Sequence, residues 1–275
     1  MLLSTLFFTV MNLLVKMVPN IPAIEIVFFR SLVSLVLSYG FLARSGISVW
    51  GNNKKLLIGR GISGAVALVL YFTTLQVMPL ASAVTIQFLS PIFTTILGIF
   101  IVKEKVKPWQ WAFFAVAFGG VLVIEGFDPR ISAFFGVMGI ISSLFSGFTY
   151  NLIRKMGTSE HPLVIVFYFP LVTLPVTGMY CYFFWVNPIG IEWLLLISIG
   201  VMTQFAQYYM TRAYQNEELS KVAPLKYFGV LYAIILGYVF FGETFNWLTY
   251  MGMIMVIVGV ILNVWYKQRL SSQVI

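Results

Sequence analysis

The sequence predicts an all-helical, polytopic membrane protein with ten transmembrane helices arranged as two inverted five-helix repeats. The first observation is composition, because 60% of the residues are hydrophobic and 9% are charged, whereas a soluble domain has about 25% charged residues. The second is that apolar runs long enough to cross a bilayer alternate with short polar separators along the chain. The third is a segment that occurs twice, with the charges of its loop changed between the copies.

Ten apolar runs are predicted to be transmembrane helices, because a helix needs about 20 apolar residues to cross the hydrocarbon core. The first run begins at Met1 with no basic segment or cleavage site before it, so we expect a retained first helix. The expected spans, in chain order, are residues 1–18, 22–43, 56–76, 80–102, 108–125, 131–153, 162–185, 190–212, 219–241 and 246–266.

The separators between these runs carry residues that end or begin helices. A proline suits the first helical position because no backbone N–H is required there. The separators contain, in chain order, PNIP at 19–22, GNN at 51–53, MP at 78–79, KP at 107–108, DP at 128–129, HP at 161–162, NP at 187–188 and GE at 242–243.

An internal repeat relates residues 71–124 to residues 210–263, which align without a gap at an offset of 139 positions. Three lysines surround Glu104 in the first copy, whereas no Lys or Arg surrounds Glu243 in the second. Equivalent loops that differ in this way are expected on opposite sides of a membrane. The identities are Gln76/Gln215, Leu80/Leu219, Ile96/Ile235, Gly98/Gly237, Glu104/Glu243, Gly120/Gly259 and Val121/Val260.

Basic residues collect in alternate loops, and this bias predicts the orientation. One set of loops holds thirteen Lys and Arg, whereas the other holds Lys16 and Arg130. We therefore expect both termini in the cytoplasm, in a multi-pass protein of the cytoplasmic (inner) membrane. The first repeat is expected at 1–127 and the second, inverted repeat at 128–275. The thirteen are Arg44, Lys54, Lys55, Arg60, Lys103, Lys105, Lys107, Arg154, Lys155, Arg212, Lys221, Lys267 and Arg269.

Three short motifs resemble elements of a known family. The run EIVFFR at Glu25–Arg30 resembles a recurrent element of EamA-type carriers in the drug/metabolite transporter superfamily. The run MPLASAV from Met78, followed by SPIF from Ser90 and by Glu104, is similar to the same family, as is Gly237 with FGE at 241–243. The resemblance implies two inverted repeats around a central cavity, alternating access, and transport of amino acids, other small metabolites, nucleotide-derived compounds or drugs.

Polar side chains inside the spans are the candidate substrate-binding residues, because a buried charge there costs at least about 2.5–3.5 kcal/mol. Arg30 is predicted to face the cavity and attract an anionic or carboxylate-bearing substrate; its alternative role is a scaffold, for example pairing with Glu25. Lys226 either faces the cavity or extends to the headgroups, and its repeat equivalent is Gln87. The predicted cavity lining is Arg30, Tyr71, Gln87, Tyr150, Gln204, Gln207, Tyr208, Lys226 and Tyr227.

Helical spacing places Gln204, Gln207 and Tyr208 on one face of the eighth span, which favours cavity lining. Hydrogen bonding between helices is the alternative for each of the polar residues. Three prolines within spans, which free backbone carbonyls, are expected to act in gating or as kinks, with a static bend as the alternative. They are Pro91, Pro170 and Pro175.

Secondary transport of a small polar metabolite, amino acid-like and zwitterionic or anionic, is the predicted function. The resemblance implies alternating access through the cavity between the repeats. The nine Asp and Glu residues all lie in loops or near span ends, so we expect exchange or facilitated transport without a carboxylate relay inside the membrane. The alternatives are a multidrug or toxic-compound exporter of the same fold and a non-transporting membrane protein.

Other function classes are not favoured by the sequence. An intramembrane enzyme would need paired carboxylates, a His/Asp set or an activated nucleophile within the spans. No metal or cofactor is expected, because Cys181 and His161 are the only residues of their types. Nucleic acid is not an expected partner, since the basic residues lie in short loops. The expected partners are a small-molecule substrate and the lipid bilayer, with the protein a monomer or homodimer.

Overall fold

The computed structural model describes residues 1–101, 108–127, 132–216 and 228–271, which form α-helices joined by turns and short loops. The predicted all-helical class is confirmed over these ranges. The helices are α1 Leu2–Lys16, α2 Ala23–Arg44, α3 Lys54–Val77, α4 Leu80–Gln87, α5 Ser90–Ile101, α6 Pro108–Phe127, α7 Ala133–Met156, α8 Pro162–Phe184, α9 Glu192–Asn216, α10 Phe228–Phe241 and α11 Trp247–Ser271.

Five helical segments of the described chain are long and apolar enough to cross a membrane: α2, α3, the α4–α5 segment, α7 and α8. Shorter apolar stretches lie in α1, α6, α10 and α11. Large apolar side chains such as Phe100, Tyr182 and Trp247 point away from the protein interior. Such side chains are favourable against lipid, so the fold is that of a multi-pass membrane protein.

The fourth predicted span is divided into two helices, α4 and α5, rather than forming one helix from 80 to 102. At the break, the backbone N–H groups of Phe88 and Leu89 each donate to a carbonyl three residues earlier. This tighter 3₁₀ pattern directly precedes Pro91, the second residue of α5. A proline has no N–H to donate and disfavours the helical conformation of the residue before it, which accounts for the position of the break.

Helices from the beginning and the end of the chain pack in pairs. α1 packs on α9, α3 on α7, α2 on α8 and α6 on α11, and α2 and α3 also contact α9 and α8, respectively. The α6–α11 crossing is close, because a Cβ at Gly120 would lie 2.6 Å from the carbonyl oxygen of Gly252. A Cβ at Gly259 would likewise lie 2.7 Å from the carbonyl oxygen of Phe113. Small residues let helix backbones approach in this way.

The loop between α2 and α3 meets the short connection between α7 and α8 at one end of the bundle. There Asn52 donates its side-chain N–H to the carbonyl of Ser159 at 2.7 Å, and the backbone N–H of Asn53 donates to the carboxylate of Glu160. The basic side chains nearest to this contact are exposed, as expected for loop residues. They are Arg44, Lys54, Lys55, Arg154 and Lys155.

Arg60 is predicted above to be one of the thirteen basic loop residues, and this prediction is wrong. It lies in the second turn of α3 and is 7% exposed. The correction has a physical cause: α3 begins at Lys54, so the helix carries Arg60 inward from the exposed Lys54 and Lys55. Glu104 and the lysines around it lie outside the described residues.

Candidate functional site

Arg30 lies in α2 where that helix contacts α3, α8 and α9. Its side chain is 4% exposed, and its Nε donates to the hydroxyl of Thr203 at 2.9 Å. Its guanidinium carbon lies 5.9 Å from the ring centre of Phe72 and 5.4 Å from that of Phe169. Arg30 makes no ion pair with Glu25, whose carboxylate instead accepts the backbone N–H of Val186 at 3.1 Å.

Arg60 approaches the same aromatic ring from α3. Its guanidinium carbon lies 5.0 Å from the ring centre of Phe169. Because both guanidinium carbons lie within 5.4 Å of one ring centre, they are separated by less than twice that distance, and the two cations repel each other. We call Arg30 and Arg60, with Phe169 between their helices, the arginine pair.

The arginine pair lies deep in the bundle because its members enter from opposite ends. At 1.5 Å per residue, Arg30 lies about 10 Å from the start of α2, and Arg60 about 9 Å from the start of α3. The end of α2 and the start of α3 are joined by a short loop, so the start of α2 is at the opposite end of the bundle. The long arginine side chains therefore reach towards the middle of the protein from both sides.

A series of polar contacts continues from the arginine pair to α1 and α7. The hydroxyl of Thr203 contacts the sulfur of Met11 at 3.0 Å. The neighbouring Asn12 donates its side-chain N–H to the hydroxyl of Tyr71 at 3.0 Å. Tyr150 of α7 lies close to both Tyr71 and Arg60. The structure thus brings together three of the predicted site residues: Arg30, Tyr71 and Tyr150.

Several polar atoms of the arginine pair and its neighbours have no hydrogen-bond partner within the described part of the chain. They are Nη1 of Arg30, Nε and Nη1 of Arg60, and Oδ1 of Asn12. The ion pair found among the described residues joins Lys16 to Glu243, so neither arginine is paired with a described carboxylate. An unpaired buried charge costs several kcal/mol, and this arrangement therefore favours an anion placed between the helices.

Gln87 lies apart from the arginine pair, at the end of α4, and contacts a row of serines on α7. Its side-chain N–H donates to the hydroxyl of Ser146 at 2.8 Å. Its carbonyl oxygen accepts from Ser142 at 3.2 Å and from Ser143 at 3.4 Å. Gln87 is half-buried and sits directly before the break between α4 and α5.

The three polar residues predicted on one face of α9 have different surroundings. Gln204 accepts hydrogen bonds from Ser34 at 2.9 Å and Ser38 at 3.3 Å, which are helix–helix contacts. Gln207 is half-buried. Tyr208 is 44% exposed and its ring packs edge-on against that of Tyr209. Among the predicted residues, Lys226 and Tyr227 lie outside the described part of the chain.

The predicted prolines occupy two kinds of position. Pro91 follows the break in the fourth span, as described above. Pro170 and Pro175 lie inside α8, which is continuous from Pro162 to Phe184. Pro170 is buried and Pro175 is exposed. Pro170 directly follows Phe169 in the chain, the residue whose ring both arginines approach.

A second charged cluster lies at the other end of the bundle, opposite the α2–α3 loop. Lys16 donates to the carboxylate of Glu243 at 2.5 Å and to the carbonyl of Met78 at 2.6 Å. The same carboxylate accepts the backbone N–H of Leu80, at 2.9 Å and 3.1 Å to its two oxygens. We call Lys16, Met78, Leu80 and Glu243 the Lys16–Glu243 cluster. It ties together the end of α1, the start of α4 and the segment after α10.

Sequence reasoning missed Arg60 and Thr203 as members of the site. Arg60 was grouped with loop residues, although it lies between Gly59 and Gly61 in an apolar stretch, which was a usable signal. Thr203 carried no such signal, since a threonine in an apolar helix is common. In the ranges that the structure describes, no group of three or more His, Cys, Asp or Glu residues could hold a metal ion.

Comparisons with known proteins bear on this site. The profile of the EamA-like transporter family matches residues 1–126 and 134–265. The pseudopaline exporter CntI of Pseudomonas aeruginosa (strain UCBPP-PA14) is 31% identical over 262 residues, covering 94% of this chain and 92% of that protein. Human solute carrier family 35 member G1 is 30% identical over 294 residues, covering 97% and 79%. One protein of known crystal structure is 18% identical and shares the fold, with a TM-score of 0.63 over 98% of both chains.

Proposed function

The chain belongs to the EamA-like transporter family, within the drug/metabolite transporter superfamily, and from this premise we propose that it moves a small zwitterionic or anionic metabolite by alternating access. The observation that carries the proposal is the buried arginine pair, with its unpartnered donors. Two buried cations would repel a hydrophobic cation, so an exporter of cationic drugs is disfavoured. The similarity to the pseudopaline exporter CntI supports a transport function.

The proposed architecture is ten spans in two inverted repeats, residues 1–127 and 128–275. In this arrangement α1, α2 and α3 of the first repeat correspond to α7, α8 and α9 of the second. The α3–α7 contact then corresponds to the α9–α1 contact, and the α2–α9 contact to the α8–α3 contact. All four contacts occur. The α6–α11 crossing also follows the offset of 139 positions. Gly120 contacts Gly252, and the equivalent positions, Gly259 and Phe113, contact each other as well. The family profile also matches the chain in two segments with nearly these limits.

The proposed orientation has both termini in the cytoplasm. Exposed Arg44, Lys54, Lys55, Arg154 and Lys155 gather at the end formed by the α2–α3 and α7–α8 connections. Such a concentration of Lys and Arg is typical of the cytoplasmic side. The Lys16–Glu243 cluster would then close the external side.

Alternating access requires contacts between the repeats that can form and break. The Lys16–Glu243 cluster joins α1 and α4 of the first repeat to the end of α10 in the second. The arginine pair lies between α2 and α3 of the first repeat and α8 and α9 of the second. Rocking of the repeats would therefore open the cluster and expose the arginine pair to the external side.

Counterflow in proteoliposomes tests the transport proposal. Vesicles loaded with an unlabelled amino acid or organic acid should accumulate the same solute in labelled form without an imposed ion gradient, whichever direction operates in the cell. Arg30→Gln should abolish exchange while leaving the folded protein intact, and Arg44→Gln is the matched control because Arg44 is exposed. Loss of the folded protein in Arg30→Gln would support the scaffold role instead. Uptake that follows an imposed pH gradient without counter-substrate would contradict uncoupled exchange.

A further inference from the structure

The geometry of the arginine pair points to a substrate that carries two negative charges, in the class of short dicarboxylates. This inference rests on the proposed transport function and specifies the substrate class of the same site. A single carboxylate would supply one negative charge against two buried positive charges. A dicarboxylate neutralises both and removes their mutual repulsion.

The donors left open by the protein are divided between the two arginines. Arg30 uses its Nε for Thr203 and retains an unpartnered Nη1. Arg60 has both Nε and Nη1 unpartnered among the described groups. Each arginine therefore has at least one donor for a carboxylate oxygen, and charge-assisted bonds of this kind are short and strong. One carboxylate cannot satisfy donors that lie on both guanidinium groups as well as two carboxylates can.

The spacing of the arginine pair sets an upper limit on the length of the ligand. Both guanidinium carbons lie over Phe169, at 5.4 Å and 5.0 Å from its ring centre. A molecule that bridges them must therefore be small, with its two carboxylates joined by a short apolar chain. The ring of Phe169 provides an apolar surface for that chain.

The positive charge of the arginine pair differs from that of Lys16. Lys16 is also largely buried, but Glu243 pairs with it. The protein thus supplies a counter-charge within the Lys16–Glu243 cluster and leaves the arginine pair without one in the described structure. A ligand that supplies two carboxylates would complete the arginine pair as Glu243 completes Lys16.

A charge series of one molecular shape tests the inference with the full-length protein in detergent. Glutarate, its monoamide and its diamide have nearly the same size, with two, one and no negative charges. Isothermal titration should give at least about tenfold tighter binding of glutarate than of the monoamide, and no measurable binding of the diamide. Arg60→Gln should bind glutarate and the monoamide equally, whereas Arg44→Gln should retain the wild-type preference. Should Arg60→Gln not fold, Arg60→Lys keeps the charge and should keep the order of affinities.

The outcomes separate this inference from the transport function. Equal affinity of the wild-type protein for glutarate and the monoamide, or binding of neither, would overturn the dicarboxylate assignment. Counterflow of some other solute would then leave the transport proposal standing. Tight binding of glutarate with no counterflow of any solute would instead overturn transport while upholding the dicarboxylate site.

Discussion

Replacing Glu243 by glutamine tests whether the Lys16–Glu243 cluster closes one end of the protein. The carboxylate is 7% exposed and the lysine side chain 14% exposed, so their contact is largely screened from water. Removing one partner of a buried ion pair costs about 3–5 kcal/mol. Glutamine keeps an acceptor for the N–H of Leu80, and Lys16 keeps the carbonyl of Met78. We therefore expect Glu243→Gln to destabilise the closed state by about 3 kcal/mol, the lower end of that range. This corresponds to roughly a hundredfold change in the equilibrium constant between the closed and open states.

The assay follows the opening of that end with a thiol reagent that does not cross membranes. Cys181 is the single native cysteine and is replaced by serine to give a silent background. Met78→Cys reports opening because Met78 is fully buried, and Val77→Cys is the control because its neighbour Val77 is 51% exposed. Glu243→Gln should speed labelling at position 78 by up to about a hundredfold and leave labelling at position 77 unchanged.

Two results would refute this reasoning. The first is an equal labelling rate at position 78 with glutamate or glutamine at 243. The second is strict additivity of Lys16→Met and Glu243→Gln in thermal unfolding, since paired residues should show coupling.

The exchange of charges, Lys16→Glu with Glu243→Lys, should not restore closure, because a lysine at 243 cannot accept the N–H of Leu80.

Two further predictions concern helix packing. Gly120→Ala should lower the free energy of unfolding by about 1–3 kcal/mol, because its Cβ would meet the carbonyl oxygen of Gly252; Gly119→Ala should be nearly neutral, with its Cβ 3.5 Å from a flexible methionine end. Equal thermal destabilisation by both would contradict the close crossing. Gln204→Leu should cost about 1–2 kcal/mol, because Ser34 loses its acceptor, yet it should retain counterflow. Loss of counterflow in a folded Gln204→Leu protein would instead assign Gln204 to the cavity.

The helical class, most helix positions and the family were accessible from the sequence because their signals are local. The seventh predicted span, for example, is correct within one residue, since residues 162–185 correspond to α8, Pro162–Phe184. The resemblance to EamA-type carriers and the transporter class are confirmed by the family match over most of the chain. The sequence predicts one helix for the fourth span, whereas the structure has two, α4 and α5. Pro91, which accounts for the break, is among the prolines identified from the sequence.

The composition of the site was less accessible because it depends on contacts between distant segments. The guanidinium carbon of Arg60 lies 5.0 Å from the ring centre of Phe169 on α8, and no local pattern around Arg60 predicts that contact. Helical spacing placed Gln204 and Tyr208 on one face, but four residues rotate the helix by about 40° beyond a full turn. That rotation accompanies a change from a buried Gln204 to an exposed Tyr208. Spacing thus gave the side of the helix but not the depth of each side chain.

The Lys16–Glu243 cluster also sets an order on the assembly of the protein during synthesis. The carboxylate that accepts the N–H of Leu80 is added 163 residues after Leu80, and 227 residues after Lys16. Until those residues are made, the start of α4 has no acceptor from this carboxylate and Lys16 has no counter-charge from it. The contacts of Glu243 with Lys16 and Leu80 therefore form only after most of the chain has been made. The cluster therefore links the two proposed repeats in the folded protein, and we expect neither repeat to form this end of the bundle alone.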